Sequence, residues 1–133
     1  MIYALDTNTI SFFLRGDETV KFNADTALDA GYELIIPKIV DYEIQRGLVA
    51  KSKHKILREY MEFRNNLKVG AIDDNVWQKA VYVYASLSQK GKPIGDGDTL
   101  IAAFCLANNY TLITDNISDF QYVDGLTCLN WKQ

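Results

Sequence analysis

Short runs of apolar, β-favouring residues recur along the chain, and longer amphipathic segments separate them. The runs are IYAL at 2–5, ELII at 33–36, TLIT at 111–114 and LTCL at 126–129, with VGAI at 69–72 as a fifth candidate. Runs that are apolar at successive positions are typical of strands covered on both faces, as in a parallel sheet. The pattern therefore predicts four or five mainly parallel strands.

Helical periodicity fills the intervals between these strands. Ile56, Tyr60, Phe63 and Leu67 recur on one face of a helix, which indicates a core-facing stripe. The predicted helices span 9–14, 20–30, 37–49, 52–67, 73–90 and 98–108. Strands that alternate with helices favour an α/β fold with helices on both faces of the central sheet. Because no linker divides the pattern, we expect a single domain over residues 1–133.

Composition narrows the class of protein. A length of 133 residues, 48% hydrophobic and 23% charged, is typical of a folded globular chain. No apolar run approaches the roughly 20 residues that a membrane span needs, and Asp6 interrupts the N-terminus before a signal peptide could form. We therefore expect a cytoplasmic protein. Cys105 and Cys128 lack the spacing of metal or redox motifs and are expected to be reduced core residues.

Charge is distributed unevenly. The net charge of −3 argues against a general nucleic-acid binder, yet the segment 46–68 carries seven basic and two acidic residues, a net charge of +5. Such a run is usually the solvated face of a helix. It becomes a candidate for binding RNA only if a site for a polyanion lies beside it. The candidate RNA-binding residues are Arg46, Lys51, Lys53, Lys55 and Arg58.

Acidic residues follow two of the predicted strands. Asp6 follows the first strand, Asp115 follows TLIT, and Asp119 lies one helical turn later. The carboxyl ends of parallel strands share one edge of a sheet, where ligands bind. Asp96 and Asp98 alternate with glycines just before an apolar helix. One aspartate there would cap the helix, and the other is either a solvated turn residue or half of a metal site.

These acids are candidates for a common pocket, which Glu43 in the third helix would join. Clustered carboxylates raise one another's pKa, and a divalent cation removes that cost. Ligands that are all oxygen select a hard ion such as Mg²⁺ or Mn²⁺. Such an ion polarises a phosphoryl oxygen and lowers the pKa of bound water. A cluster of acids that binds such an ion is therefore suited to the hydrolysis of phosphodiesters.

Competing motifs fit less well. An EF-hand loop beginning at Asp96 would need glycine at Ile101 and glutamate at Ala107. A P-loop and a nucleophile elbow are absent from the sequence. A phosphatase that forms an aspartyl-phosphate in the manner of haloacid dehalogenases would want an aspartate in place of Asn8. A small-molecule phosphatase is therefore the third alternative, and it predicts turnover of simple phosphomonoesters.

Four blocks of sequence together resemble a known family. They are LDTNTISFFLRGD at 5–17, IPKIVDYEIQRGL at 36–48, GKPIGDGDTLIAAFCLANNYTLITDN at 91–116 and LNW at 129–131. In this order and spacing they resemble the PIN-domain ribonucleases, in particular the VapC toxins of bacterial VapBC toxin–antitoxin modules. The resemblance extends from Tyr3 to Trp131. It implies a PIN-like three-layer domain with a central, mainly parallel sheet of four or five strands.

The resemblance also implies roles for individual residues. The principal metal ligands are Asp6, Glu43 and Asp98, Asp96 assists them, and Asp115 or Asp119 completes the catalytic acids. The resemblance also gives supporting roles to two polar residues. Thr114 supplies a hydroxyl group beside the acids, and Asn8 either hydrogen-bonds around Asp6 or caps the first helix.

The function implied by the resemblance is that of a Mg²⁺-dependent endoribonuclease, with Mn²⁺ as the alternative ion, which acts on single-stranded RNA and commonly on tRNA. Expected partners are a VapB-type antitoxin, whose C-terminal segment would lie across the active-site groove, and a second copy of the chain in a homodimer. The basic segment would then hold RNA backbone. An alternative from another class is a catalytically silent PIN-like module that binds RNA or antitoxin without cutting. Metal titration discriminates between the two.

Overall fold

The centre of the protein is a five-stranded sheet in which every neighbouring pair of strands is parallel. The computed structural model describes residues 1–133. The strands are β1 Ile2–Leu5, β2 Glu33–Pro37, β3 Lys68–Gly70, β4 Thr111–Ile113 and β5 Cys128–Leu129, in the spatial order β3-β2-β1-β4-β5. The predicted α/β class and parallel sheet are confirmed. The fifth strand is present, although it begins one residue before the VGAI run.

Seven helices connect the strands. They are α1 Thr7–Leu14, α2 Glu18–Asp29, α3 Lys38–Ala50, α4 His54–Asn65, α5 Asp74–Gln89, α6 Asp96–Asn108 and α7 Ile117–Phe120. The sequence did not predict α7, because four residues are too few to show a helical period. Helix α1 begins two residues earlier than expected because Asp6 caps it. None of the helices has the length and apolar character needed to cross a membrane.

The start of α6 differs from the prediction. The helix begins at Asp96 rather than Asp98, and its N-cap is Gly95, which makes no side-chain capping bond. Neither aspartate therefore caps the helix, and the capping interpretation of one of them is wrong. Both lie within the first turn, where the helix dipole favours negative charge.

Apolar side chains cover both faces of the sheet. Leu34, Ile35 and Ile36 are consecutive in β2 and all buried, which is the burial expected of a strand between two layers. At the edge of the sheet, β3 ends against α6 without room for a side chain. A Cβ at Gly70 would clash with the ring of Phe104. Glycine there allows the strand to approach the helix.

Strand order places a crevice at one edge of the sheet. The chain moves outward from β1 through β2 to β3, then returns to add β4 and β5 on the other side of β1. Ligands bind outside the carboxyl ends of strands at such a reversal. Helix α6 ends at Asn109, whose φ of 58° is left-handed, and β4 follows at Thr111. This short return brings the start of α6 to the carboxyl end of β4, beside β1.

A buried carboxylate joins α3 to α4. Asp41 is 0% exposed and accepts hydrogen bonds from Tyr60 at 2.7 Å, Arg64 at 2.8 Å, Gln45 at 3.0 Å and Lys38 at 3.2 Å. Burial by itself would raise the pKa of Asp41, but the bonds from Arg64 and Tyr60 prevail and hold that pKa well below its usual range. This cluster was not predicted from the sequence. Because Arg64 is paired with Asp41, its charge is already neutralised within the fold.

We expect Asp41→Asn to lower the free energy of unfolding by about 2 to 4 kcal/mol, because it leaves buried donors without a charged acceptor. A carboxyl group with a depressed pKa stabilises the fold at neutral pH and loses that effect as the pH falls below about 4. Urea unfolding at pH 7 and pH 3 should therefore show a difference from wild type that shrinks in acid.

Asp124→Asn is the matched control, since Asp124 pairs with Lys90 but its side chain is 82% exposed. Exposed pairs contribute little to stability. Equal effects of the two substitutions would contradict the structural role of Asp41.

Candidate active site

A polar pocket of about 400 Å³ opens outside the carboxyl end of β1. No apolar side chain lines it. Its lining residues are Asp6, Thr7, Asn8, Glu43, Arg46, Gly47, Asp98 and Asn116. The three acids come from the end of β1, from α3 and from the first turn of α6. The structure thus brings together the three residues that the sequence analysis gave as principal metal ligands, and we call this the acid pocket.

Both carboxylate oxygens of Asp6 are held in place. Oδ1 accepts the backbone N–H of Thr7 at 2.7 Å, and Oδ2 accepts the hydroxyl of Thr114 at 2.7 Å. Thr114 is buried and in turn accepts the backbone N–H of Asn116 at 3.0 Å. Burial raises the pKa of Asp6; the two bonds to the carboxylate oppose that rise, and the charges of Glu43 and Asp115 add to it. Thr114 therefore lies beside the site, as expected, and orients Asp6 directly.

One carboxylate oxygen of Glu43 accepts a hydrogen bond, and the other packs closely against a glycine. Oε1 accepts the hydroxyl of Thr7 at 2.8 Å, so Thr7 contacts two acids, Asp6 through its N–H and Glu43 through its side chain. Oε2 lies against Gly97, where an added Cβ would be only 2.8 Å away. The sequence analysis missed both residues. The available signals were the position of Thr7 directly after the first acid and the glycine between two aspartates.

Asp98 experiences the charge of the whole group. Burial, followed by the charges of Asp6, Glu43 and Asp119, raises the pKa of Asp98 to about 6. None of the five ion pairs in the structure involves Asp6, Glu43 or Asp98. The three carboxylates therefore repel one another, and none of them is neutralised by an ion pair, although Arg46 also lines the pocket.

Asp115 and Asp119 approach the acid pocket from different positions. The charge of Asp115 raises the pKa of Asp6, whereas that of Asp119 raises the pKa of Asp98. Both contribute negative potential, so the choice between them stays open. Asn8 donates to Asp115 at 3.3 Å and neither bonds to Asp6 nor caps α1, whose N-cap is Asp6 itself. Of the two roles expected for Asn8, the helix cap is therefore wrong, and its hydrogen bond goes to Asp115, which lies near Asp6, rather than to Asp6 itself.

Asp96 lies apart from the other acids. Its side chain is exposed and borders a groove between α5 and α6 together with Trp77, Val81 and Tyr84. Residues two positions apart in a helix face different directions, so Asp96 and Asp98 cannot share one face of α6. We therefore leave Asp96 out of the acid cluster, although the sequence analysis gave it an assisting role.

A second groove, of about 340 Å³, adjoins the acid pocket. The two share Thr7, Asn8, Glu43 and Gly47. Three basic side chains and several apolar ones line the groove further along: Arg15, Lys51, Lys53, Leu14, Ile44, Leu48 and Ile56. We call this the basic groove. It places Lys51 and Lys53 next to the acid pocket and adds Arg15, which was not predicted from the sequence.

The other predicted RNA-binding residues occupy different positions. Lys55 and Arg58 are exposed on α4 and do not line the basic groove. Arg46 lines the acid pocket, but its guanidinium group lies over the ring of Tyr42, 5.0 Å from the centroid. It forms no ion pair.

The acid pocket supplies a donor set that suits a hard cation. Its candidate ligands, Asp6, Glu43 and Asp98, offer only oxygen, which Mg²⁺ and Mn²⁺ prefer. As the side chains stand, no group of three or more His, Cys, Asp or Glu residues is placed to hold a metal ion. Mg²⁺ is usually bound through one or two carboxylates and keeps several waters. The residues therefore fit a hydrated ion rather than a closed protein cage.

Comparisons with known proteins agree with this geometry. The family model described as "PIN domain" matches residues 3–126. Ribonuclease VapC2 of Rickettsia felis is 34% identical, with 100% of both chains covered. The tRNA(fMet)-specific endonuclease VapC of Salmonella typhimurium is 21% identical over 97% of each chain. The crystal structure of VapBC2 from Rickettsia felis, bound to a DNA fragment of its promoter, is similar with a TM-score of 0.92 and 28% identity, and the match covers 98% of this chain and 99% of the other.

The raised pKa of Asp98 predicts an unusual effect of pH on the metal-free protein. Because the folded state binds this proton more tightly than the unfolded state, the free energy of unfolding in EDTA should fall as the pH rises from about 4 through about 6. We expect Asp98→Asn to make this decrease in the free energy of unfolding smaller by about 1 to 2 kcal/mol. The value includes a reduction for solvent screening, because the carboxylate is half-exposed.

Urea unfolding across this range, with Asp74→Asn as the control, measures the effect. Asp74 is an exposed aspartate in the first turn of α5. If Asp98→Asn and Asp74→Asn had the same pH dependence as wild type, the carboxylates of the acid pocket would not interact as described.

Proposed function

The chain belongs to the VapC ribonucleases of the PIN-domain family, and from that premise we propose that it is a Mg²⁺-dependent endoribonuclease toxin that hydrolyses phosphodiester bonds in tRNA. The observation that carries the proposal is the acid pocket. Asp6, Glu43 and Asp98 meet there, none of them is neutralised by an ion pair, and the charges raise the pKa of Asp98 to about 6. A divalent cation relieves this repulsion.

Asp6, Glu43 and Asp98 would hold the ion, with Asp115 or Asp119 in support. When bound, Mg²⁺ or Mn²⁺ supplies polarisation of a phosphoryl oxygen and makes a nearby water more acidic. The protein itself supplies orientation. Thr7 and Thr114 hold the carboxylates of Asp6 and Glu43 through bonds of 2.7 to 2.8 Å, which limits how far these two side chains turn.

The basic groove supports an RNA substrate. It continues from the acid pocket, and Arg15, Lys51 and Lys53 line it. These basic side chains can hold phosphates next to the acids. The apolar side chains of the same groove can contact unstacked bases of a single strand. The relative from Salmonella typhimurium is named as specific for tRNA(fMet). From this relative we take only the class of substrate, tRNA, as a proposal for the present chain, and not the individual RNA.

We further propose an antitoxin of the VapB type as the partner. The similar structure from Rickettsia felis is a complex of toxin and antitoxin. An antitoxin segment with basic side chains would neutralise the acid pocket and compete with metal and RNA at the same place. We also propose that the toxin is a homodimer that acts in the cytoplasm as a single-domain protein.

No group of three or more His, Cys, Asp or Glu residues is placed to hold a metal ion as the side chains stand, and this favours keeping one second candidate function. A catalytically silent module would use the basic groove to hold RNA or antitoxin without cutting. Such a module needs no Mg²⁺ or Mn²⁺, so a titration of metal into the wild-type protein discriminates between the two functions.

Purified wild-type protein should cleave a pool of tRNAs with Mg²⁺ or Mn²⁺ and not with EDTA. We expect Asp98→Asn to reduce the rate by about 100-fold or more, because changes even in residues around metal ligands typically cost 10- to 100-fold. Asparagine keeps the size of the side chain and removes its charge. Gel analysis of the fragments measures both the rate and the cleavage position.

Asp74→Asn should cleave at the wild-type rate, since it removes an aspartate from another helix start. Cleavage that persists in EDTA, or an equal rate for wild type and folded Asp98→Asn, would count against the nuclease mechanism.

Lys51→Ala and Lys53→Ala should weaken RNA binding and flatten its dependence on salt. Each lost phosphate contact on a single strand reduces the slope of log affinity against log salt by about 0.7. Lys55→Ala and Arg58→Ala should change the slope less, because neither residue lines the basic groove. Binding of a labelled RNA to the Asp98→Asn protein at several salt concentrations separates this effect from cleavage. Four equal slopes would contradict the proposed path of the RNA.

A further inference from the structure

The position of the Glu43 carboxylate requires that residue 97 has no side chain. Thr7 donates its hydroxyl to Oε1 of Glu43 at 2.8 Å, and Gly97 lies against the other oxygen. A Cβ at residue 97 would lie 2.8 Å from Oε2 and 3.6 Å from Cδ of Glu43. Real Cβ atoms essentially never approach another atom within 3.0 Å. The present position of Glu43 is therefore compatible only with glycine at 97.

Backbone conformation does not explain this glycine. Gly97 lies inside α6 and is not among the glycines with positive φ. Glycine within a helix is less favourable than alanine, because it loses more backbone freedom on folding. The helix alone would therefore favour a residue with a side chain. The feature of the structure that leaves no room for a side chain at position 97 is the Glu43 carboxylate.

We propose that Gly97 is a positioning residue for Glu43. Together with Thr7 it determines where the Glu43 carboxylate meets Asp6 and Asp98, and a side chain at position 97 moves that carboxylate out of the acid pocket. Divalent ions then bind more weakly there. This inference rests on the proposed function, in which Glu43 is one of the metal ligands.

The effect of a substitution should be confined to the site. The atom nearest to the added Cβ is the end of a flexible side chain, so Glu43 can rotate away while α6 stays in place. That rotation breaks the hydrogen bond with Thr7. We therefore expect Gly97→Ala to fold normally and to lose the fixed position of Glu43.

Titration of Mn²⁺ into Gly97→Ala, followed by electron paramagnetic resonance of the free ion, measures the first consequence. The dissociation constant should rise by about tenfold or more. Gly95→Ala is the matched control, because a Cβ at that neighbouring glycine meets nothing within 4 Å, and it should stay within about twofold of wild type. In a Glu43→Asp background, whose shorter side chain withdraws from residue 97, Gly97→Ala should add little further loss.

A second readout needs no metal. Thr7→Val removes the hydroxyl bonded to Glu43 and should lower the urea midpoint of the metal-free wild type. It should cause a smaller shift in Gly97→Ala, where that bond is already broken, and the full shift in Gly95→Ala. A general structural role for Gly97 would not produce this coupling.

The inference is overturned if Gly97→Ala binds Mn²⁺ like Gly95→Ala, or if Thr7→Val shifts the midpoint equally in both. A wild-type protein that binds no Mn²⁺ but shows the coupling with Thr7 would defeat the proposed metal chemistry and support the positioning of Glu43. Metal binding by wild type without that coupling would overturn the positioning alone. The two failures are therefore distinguishable.

Discussion

Mutual repulsion among Asp6, Glu43 and Asp98 is opposed by the rest of the fold. Each carboxylate lies on a different element, and each element is held by contacts away from the pocket. Strand β1 is paired on both sides, the buried Asp41 joins α3 to α4, and α6 packs along α5. The acids consequently line one pocket before any ligand binds. Such preorganisation is what catalysis by charge stabilisation requires.

The same constraint explains why no basic side chain is paired with the acids, although Arg46 lines the acid pocket. A lysine or arginine paired with the acids would remove the repulsion and with it the affinity for a divalent ion. Arg46 lies at the pocket but stacks on Tyr42, whereas Lys51 and Lys53 line the adjoining groove. The surface therefore presents an acidic region and, next to it, a basic one, which is the arrangement that the proposed metal-assisted cleavage of RNA requires.

The fold and the principal acids were predictable because their signals are local. Buried runs such as that at Leu34 to Ile36 predict strands, and Asp6 directly after such a strand predicts a polar residue at the ligand-binding edge. The residue pattern offered Glu43 only as an additional candidate, and the family resemblance made it a principal ligand, since position within a helix does not reveal which pocket the side chain enters. The start of α6 was misjudged because two aspartates beside glycines suggest a cap, while Gly95 takes that position.

Features that depend on distant contacts were not visible in the sequence. The bonds from Asn8 to Asp115, across 107 positions, and from Thr7 to Glu43, across 36, arise only when the strands and helices assemble. The same is true of the space at Gly97, which an isolated helix would fill with a better helix former. These residues do not look like ligands, yet the position of a carboxylate depends on them.

Locating a bound Mn²⁺ by its anomalous X-ray scattering tests the central claim most directly. Crystals of the metal-loaded protein should show the ion in the acid pocket, with oxygens of Asp6 and Asp98 among its ligands and waters completing its shell. An ion that binds only elsewhere, or no ordered ion at saturating Mn²⁺, would contradict the view that these carboxylates are held together to bind metal.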